Sequence, residues 1–400
     1  MADYDVVVVG AGPIGCVAAR YAANNGASVL LLEEHASIGT PVGCAGILST
    51  RAVSECDISS KDNSILNSVR GAFVYPPDGN CLTIDGKKTK AHIVSRKLFD
   101  KKLGVMAVDA GVELFLKSRV VGIETNNSIQ KIHIIRNGVR ETISSSVIIG
   151  ADGVKSNIAK MSGLGTVKKI LSGVQFEVLY DSKNTDFVEV YLGSSSPGFF
   201  AWSIPINEKI SRIGLSISGN NKQNAMQYLD KLLKSNPQMS LKYKGGCFDF
   251  IVGGVPLGPL KKTVTDGVMI VGDAAGQVKP TTGGGIYTGA ACAKIVGRVA
   301  ASASLSEDCS KEKLNEYEKE WRKKIGKELS IGMKINEFVY GLEDTKTNAI
   351  INSINTPEML DLITEYGDMD KPSILMKKIL FANNSYKMFS IFRNLAKAFI

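Results

Sequence analysis

No stretch of this 400-residue chain stays apolar long enough to cross a bilayer as a helix. Its seven cysteines, an odd number at irregular spacing, make no disulfide framework, and a reducing cytosol suits them. It has no Cys-x-x-Cys pair and no Cys/His cluster, so no metal is expected. A secretory leader is not expected either, because Asp3 and Asp5 flank the first apolar run and no cleavage site follows. The net charge of +9 comes without a nucleic-acid-binding motif, and no nucleic-acid partner is expected. What remains is a globular composition, 44% hydrophobic and 22% charged, with length enough for two domains.

The first 34 residues carry the strongest pattern. Val6 to Val9 form a β-branched run with no polar break, as in a strand buried on both faces. Gly10-Ala11-Gly12-Pro13-Ile14-Gly15 follows without a spacer. Gly10 permits the tight turn, Gly12 lets backbone approach a pyrophosphate, and Gly15 lets helix pack closely on strand. Ala18, Ala19, Ala22 and Ala23 line one side of the next helix, whose N-terminus points free N–H groups at the phosphates. A second apolar strand ends at Glu33, where a carboxylate meets ribose hydroxyls; Glu34 is the rival for that role. Together these features predict a Rossmann-type, dinucleotide-binding α/β domain.

Further along, Gly39, Pro41, Gly43 and Gly46 make residues 35–49 a loop able to run towards the cofactor ring. Cys44 lies among small residues there; a plain buried cysteine is the alternative. Residues 95–110 read as a helix with Leu98, Phe99, Leu103 and Met106 on one face and Arg96 in its first turn. A cation there calls for a nearby anion, supplied by a cofactor phosphate or ribose or, as the alternative, by a surface ion pair. Two more buried strands run into Ala151-Asp152-Gly153 and Gly272-Asp273, at the strand ends where open α/β sheets bind ligands. Gly283 to Ile286 then opens a helix N-terminus able to face a negative group. Between these motifs, residues 172–250 show short alternating strands, an antiparallel sheet inserted into the nucleotide domain. From Lys311 the chain reads as helical, with breaks near Gly341, Pro357 and Pro372.

The three glycine motifs, in this order, resemble the flavoprotein superfamily of aromatic hydroxylases such as para-hydroxybenzoate hydroxylase. The resemblance implies FAD, with Gly10, Gly12, Gly15 and Cys16 at the pyrophosphate, Glu33 on the ribose and Asp273 on the ribityl chain. Gly285 and Ile286 then approach the isoalloxazine ring. Cys44, Ala45 and Ile47 of the loop, Arg96 and Val120 complete the candidate cofactor set. Where the hydroxylases usually carry an Arg tied to NAD(P)H use, this chain has Ala159. Pro41-Val42-Gly43-Cys44 instead resembles the Pro-Val-Arg-Cys loop of geranylgeranyl reductases, with Gly43 in place of Arg. Pro197 to Pro205 resembles their Tyr-x-Trp-x-Phe-Pro signature, with Phe200 for the Tyr, Ile204 for the Phe, and Trp202 and Pro205 matching. Across the whole chain the similarity points to the archaeal digeranylgeranylglycerophospholipid reductases. The expected organisation is an FAD-binding domain (1–70, 90–170, 255–305), an antiparallel-sheet substrate domain (71–89, 171–254) and a C-terminal helical region (306–400).

The expected chemistry is reduction of isolated double bonds in prenyl chains. Hydride from reduced FAD needs a proton added with it, because such a bond is not activated. Phe199, Phe200 and Trp202 are the expected greasy, aromatic pocket, with ordinary sheet core as the alternative. Cys44 is the candidate proton donor or positioner. The partners expected are a polyprenyl lipid and a reduced donor, ferredoxin-like or NAD(P)H. The basic, acid-free stretch from Lys371 to Ile400 reads either as a helix lying on an anionic membrane or as one closing the protein's own core. The competing functions are an aromatic or quinone hydroxylase and a non-catalytic lipid-binding flavoprotein.

Overall fold

The computed structural model describes residues 2–126, 129–219, 221 and 223–381. Its first sheet has eight strands, built around Tyr4–Val9. That strand lies parallel to Val29–Leu32 on one side and Val139–Gly150 on the other. Val268–Ile270 pairs in parallel beyond the latter, and Glu113–Phe115 beyond the former. Val6, Val7 and Val8 are completely buried, as a central strand covered on both faces requires. The helices Pro13–Asn24 and Ile286–Leu305 lie together on one face. Ala18, Ala19 and Ala22 are fully buried, and a β-carbon on Gly297 would stand 2.5 Å from the Ala18 carbonyl oxygen. Small residues on both helices therefore set this close approach.

The second sheet has seven strands, in the order Tyr243–Leu257, Lys169–Tyr180, Ile210–Ile217, Ala201–Pro205, Phe187–Tyr191, Gly71–Tyr75, Leu82–Asp85. It is antiparallel except where Phe187–Tyr191 runs parallel to Gly71–Tyr75. The helix Ala225–Ser235 covers one face with Leu229, Leu232 and Leu233; Asn224 and Gln227 cap its start reciprocally. A third sheet of three strands joins Ile47–Ser49, Ala91–Val94 and Ile65–Val69. The end of the expected loop is thus a strand, because its hydrogen-bond partner lies more than forty residues away and leaves no local signal.

One expectation about packing changes. Leu98 is 47% exposed, and the buried stripe of Arg96–Asp109 runs instead through Phe99, Leu103 and Ala107. The helix Lys311–Trp321, within the C-terminal helical region, buries Leu314, Tyr317 and Trp321 in the same core as Val6 and Cys16. The Tyr317 hydroxyl donates to the Ile270 carbonyl at 2.9 Å, and the Trp321 indole N–H donates to Thr263 Oγ1 at 3.0 Å. The basic tail lies mostly outside the described residues. Its described beginning, in Pro372–Phe381, turns Met376 and Ile379 inward against Met359.

Candidate functional site

Three parallel strands end side by side, with Val9 opposite Gly150 and Gly150 opposite Ile270. Each runs directly into one of the glycine motifs, so three turns far apart in sequence share one edge. Gly10 has φ +99°, and a β-carbon there would meet the Ala151 carbonyl oxygen at 2.6 Å. One on Gly15 would lie 1.8 Å from the Gly10 carbonyl oxygen. One on Gly12 would touch nothing within 4 Å. Two glycines are thus required by packing, while the third faces open space at a helix N-terminus, as backbone approach by a pyrophosphate requires.

Glu33 closes the strand Val29–Leu32 with its carboxylate turned to the same turn. Oε2 accepts the Ala11 N–H at 2.9 Å, and Oε1 accepts the His35 N–H at 3.0 Å. Glu34 is exposed, whereas Glu33 is buried against the turn. The Ser118 N–H donates to the Glu33 carbonyl at 2.7 Å and draws the strand Ser118–Asn126 alongside; Val120 on it is buried with Val9 and Leu32. Cys16 turns its side chain into the core. Its thiol donates to the Ala11 carbonyl at 3.3 Å within the core, and its N–H donates to the Gly12 carbonyl at 3.0 Å. Asp152 likewise serves the fold: its carboxylate accepts the N–H groups of Asn157 and Ile158 and the Ser156 hydroxyl, capping the helix Asn157–Met161.

The third turn carries the titratable groups. Burial pushes Asp273 up to about 6, against the opposing charge of Arg96. A β-carbon on Gly285 would stand 2.7 Å from Asp273 Oδ1, so a larger residue there would displace that carboxyl. Arg96 makes a bidentate, largely buried pair with Asp100, both contacts 2.8 Å. Burial disfavours its charge, but Asp100 first and Cys44 second outweigh that and hold the guanidinium above its ordinary pKa. The anion that this helix start called for is therefore Asp100, one turn on. Arg96 lies near enough to Cys44 and Asp273 for charge to be felt between them.

An aromatic wall stands against the same turn. A β-carbon on Gly283 would lie 3.4 Å from the Phe199 ring and 3.4 Å from Val255. Phe199 stacks on Phe200 with centroids 4.3 Å apart, both rings pack against Tyr340, and Trp202 meets Phe200 edge-on at 5.9 Å. The Trp202 N–H donates to Gln175 Oε1 at 2.9 Å, which fixes the indole. Ala45 and Ile47 pack in the cluster that holds Trp202, so the loop bridges the wall and the Arg96 cluster.

The comparisons with known proteins agree with this geometry. The FAD binding domain family matches residues 3–231. A digeranylgeranylglycerophospholipid reductase of Methanocaldococcus jannaschii is 35% identical, covering 90% of this chain and 92% of that one. The reductase of the same name from Methanococcus vannielii is 36% identical, again over 90% and 92%. The crystal structure of a geranylgeranyl bacteriochlorophyll reductase-like protein from Thermoplasma acidophilum superposes with a TM-score of 0.86 at 27% identity, covering 98% of this chain and 99% of that one. The chain belongs to the digeranylgeranylglycerophospholipid reductase family. It is an FAD-dependent oxidoreductase.

Three residues of this reductase escaped the sequence reading. Tyr340 joins the wall from a C-terminal helix, its hydroxyl donating to the Thr281 carbonyl at 3.0 Å. Arg212 crosses from the second sheet to donate to the Ala45 carbonyl at 3.2 Å and the Val94 carbonyl at 3.0 Å, with Glu177 as its counter-charge. Lys279 lies along Gly284 and pairs with the buried Asp370. For Arg212 a signal existed: a lone cation among Ile, Ser and Leu in a strand. For Tyr340 none did.

Proposed function

We propose that this chain uses FAD to saturate isolated double bonds in geranylgeranyl chains of membrane ether-lipid precursors. The observation that carries the reading is the apolar aromatic wall of Phe199, Phe200, Trp202 and Tyr340, set against the Gly283 turn and next to the Cys44–Arg96–Asp273 cluster. The Gly12 turn and its helix N-terminus would hold the pyrophosphate, Glu33 the ribose and Asp273 the ribityl hydroxyls. Gly285 and Ile286 would border the ring. When bound and reduced, FAD supplies the hydride. The chain's own residues supply the rest. The aromatic faces exclude water and stabilise positive charge as it develops on the tertiary carbon. Cys44 gives its proton to the other alkene carbon. Ala159, fully buried in the core on the first sheet, stands where the hydroxylases carry an arginine and speaks against that chemistry.

The electron donor in this reading is a ferredoxin-like protein or NAD(P)H, and the protein works in the cytoplasm at the membrane surface. No helix among the described residues is long and apolar enough to cross a membrane. The test is mass spectrometry of a digeranylgeranylglycerophospholipid after incubation with dithionite-reduced protein. Addition of two hydrogens per double bond is expected; an unchanged lipid alongside fully reduced flavin sinks the proposal. Cys44→Ser should keep FAD and lose at least about a hundredfold in rate, the usual loss for a general acid.

A further inference from the structure

Exposed apolar surface gathers on one edge of the second sheet. Phe248, Phe250 and Val252 on the edge strand Tyr243–Leu257 are 59, 50 and 64% exposed, and Ile170 on the neighbouring strand is 38% exposed. The register joins them into one strip. Phe250 pairs with Phe176 and Val252 with Val174, while Ile170 reaches across to Gly254, two residues further on the same face. Asp249 alternates onto the opposite face. Gly245 and Gly246, both at positive φ, and the register jump opposite Glu177 and Leu179 throw Phe248 out in a bulge.

Charge follows the strip. Lys155, Lys160, Lys168 and Lys169 are exposed at the Ile170 end, with Met161 exposed among them, and no acidic residue occurs from 153 to 176. The opposite face of the same strand borders the site. A β-carbon on its Gly253 would stand 3.1 Å from the Gly43 carbonyl oxygen, Val255 borders Gly283, and Leu257 packs with Phe199. From Phe248 to Val255 is roughly 23 Å at about 3.3 Å per residue.

We propose that this edge seats the protein on an anionic membrane. Phe248, Phe250 and Val252 enter the headgroup–acyl boundary and the lysines lie over anionic headgroups, with the site on the other face of the same strand. A long apolar edge strand left in water would otherwise be an aggregation hazard. The inference rests on the lipid-substrate reading and assigns a surface to it.

The test is flotation of the FAD-loaded full chain with phosphatidylglycerol vesicles and with phosphatidylcholine vesicles. Salt-sensitive binding to the anionic vesicles is expected. The triple variant Phe248→Ser, Phe250→Ser, Val252→Ser should weaken it at least about tenfold, with the flavin spectrum and turnover of detergent-dispersed lipid unchanged. Lys168→Glu with Lys169→Glu should erase the anionic preference. The proposal is overturned if the wild-type chain stays off the vesicles. It is also overturned if the triple variant binds like wild type, whether deletion of 382–400 then abolishes binding and assigns it to the tail, or the variant only changes from dimer to monomer and assigns the edge to a second copy. Vesicle binding without turnover of dispersed lipid would leave the docking surface standing and remove the activity instead.

Discussion

At the edge of the first sheet the decisive groups are backbone: a turn held by Gly10, a helix start kept close by Gly15, an open approach at Gly12. At the wall of the second sheet they are side chains: Phe199, Phe200 and Trp202 from one segment and Tyr340 from a distant helix. The first region presents N–H groups, and two of its three glycines leave no room for a β-carbon. The second presents rings and makes no such demand on the backbone that delivers them. Recognition by backbone leaves a fixed spacing of glycines in the chain, whereas a cavity lined by side chains leaves only scattered aromatics.

The sharpest way to break the contrast is within the first motif. Gly15→Ala should cost more than about 3 kcal/mol, beyond ordinary overpacking, because the obstacle is the Gly10 carbonyl rather than a movable side chain. Thermal unfolding of the apoprotein would measure it. Gly12→Ala should leave that midpoint unchanged and weaken FAD binding sharply, read by flavin fluorescence. Equal stability losses in both variants would mean that Gly12 serves packing alone.

Next in size is the link between the two regions and the C-terminal segment. Asp370 is 3% exposed and pairs with Lys279 behind the Gly283–Gly285 turn. Asp370→Asn leaves a buried ammonium without its partner and should cost about 3–5 kcal/mol. Replacing both residues by Met and Leu should recover most of it. A loss under 1 kcal/mol, as an exposed pair gives at about 0–1 kcal/mol, would show that the segment is not tied down there.

The smallest effect concerns Asp273. Its pKa is raised by burial to about 6, so the folded apoprotein binds a proton that the unfolded chain has already released. Stability should therefore fall as pH rises from the ordinary carboxylate range to about 6, and then level off. Asp273→Asn should remove that slope. Hydroxyl donors favour the carboxylate, so FAD affinity in the wild-type chain should rise over the same interval. Titration calorimetry across it checks the sign.

Much of this was legible. The valine run, the glycine spacing and the acid at the end of the second strand are local features, and they place Gly10, Gly12, Gly15 and Glu33 on one turn. The partner of Arg96 was legible only as a need for an anion; that Asp100 supplies it depends on which face of the helix is buried. The strand at Ile47–Ser49 was hidden because its pairing energy comes from Ala91–Val94. Cys16 looked like part of a phosphate loop by position, yet its side chain points the other way, into the core.

The amino-acid order by itself determined the cofactor half, since turn geometry, helix dipole and strand alternation act between near neighbours. Only tertiary structure decided which distant groups complete the site. Arg212 meets the loop across 167 residues and Lys279 meets Asp370 across 91. Such contacts arise from the packing of whole sheets and helices, and short-range propensity carries no record of them.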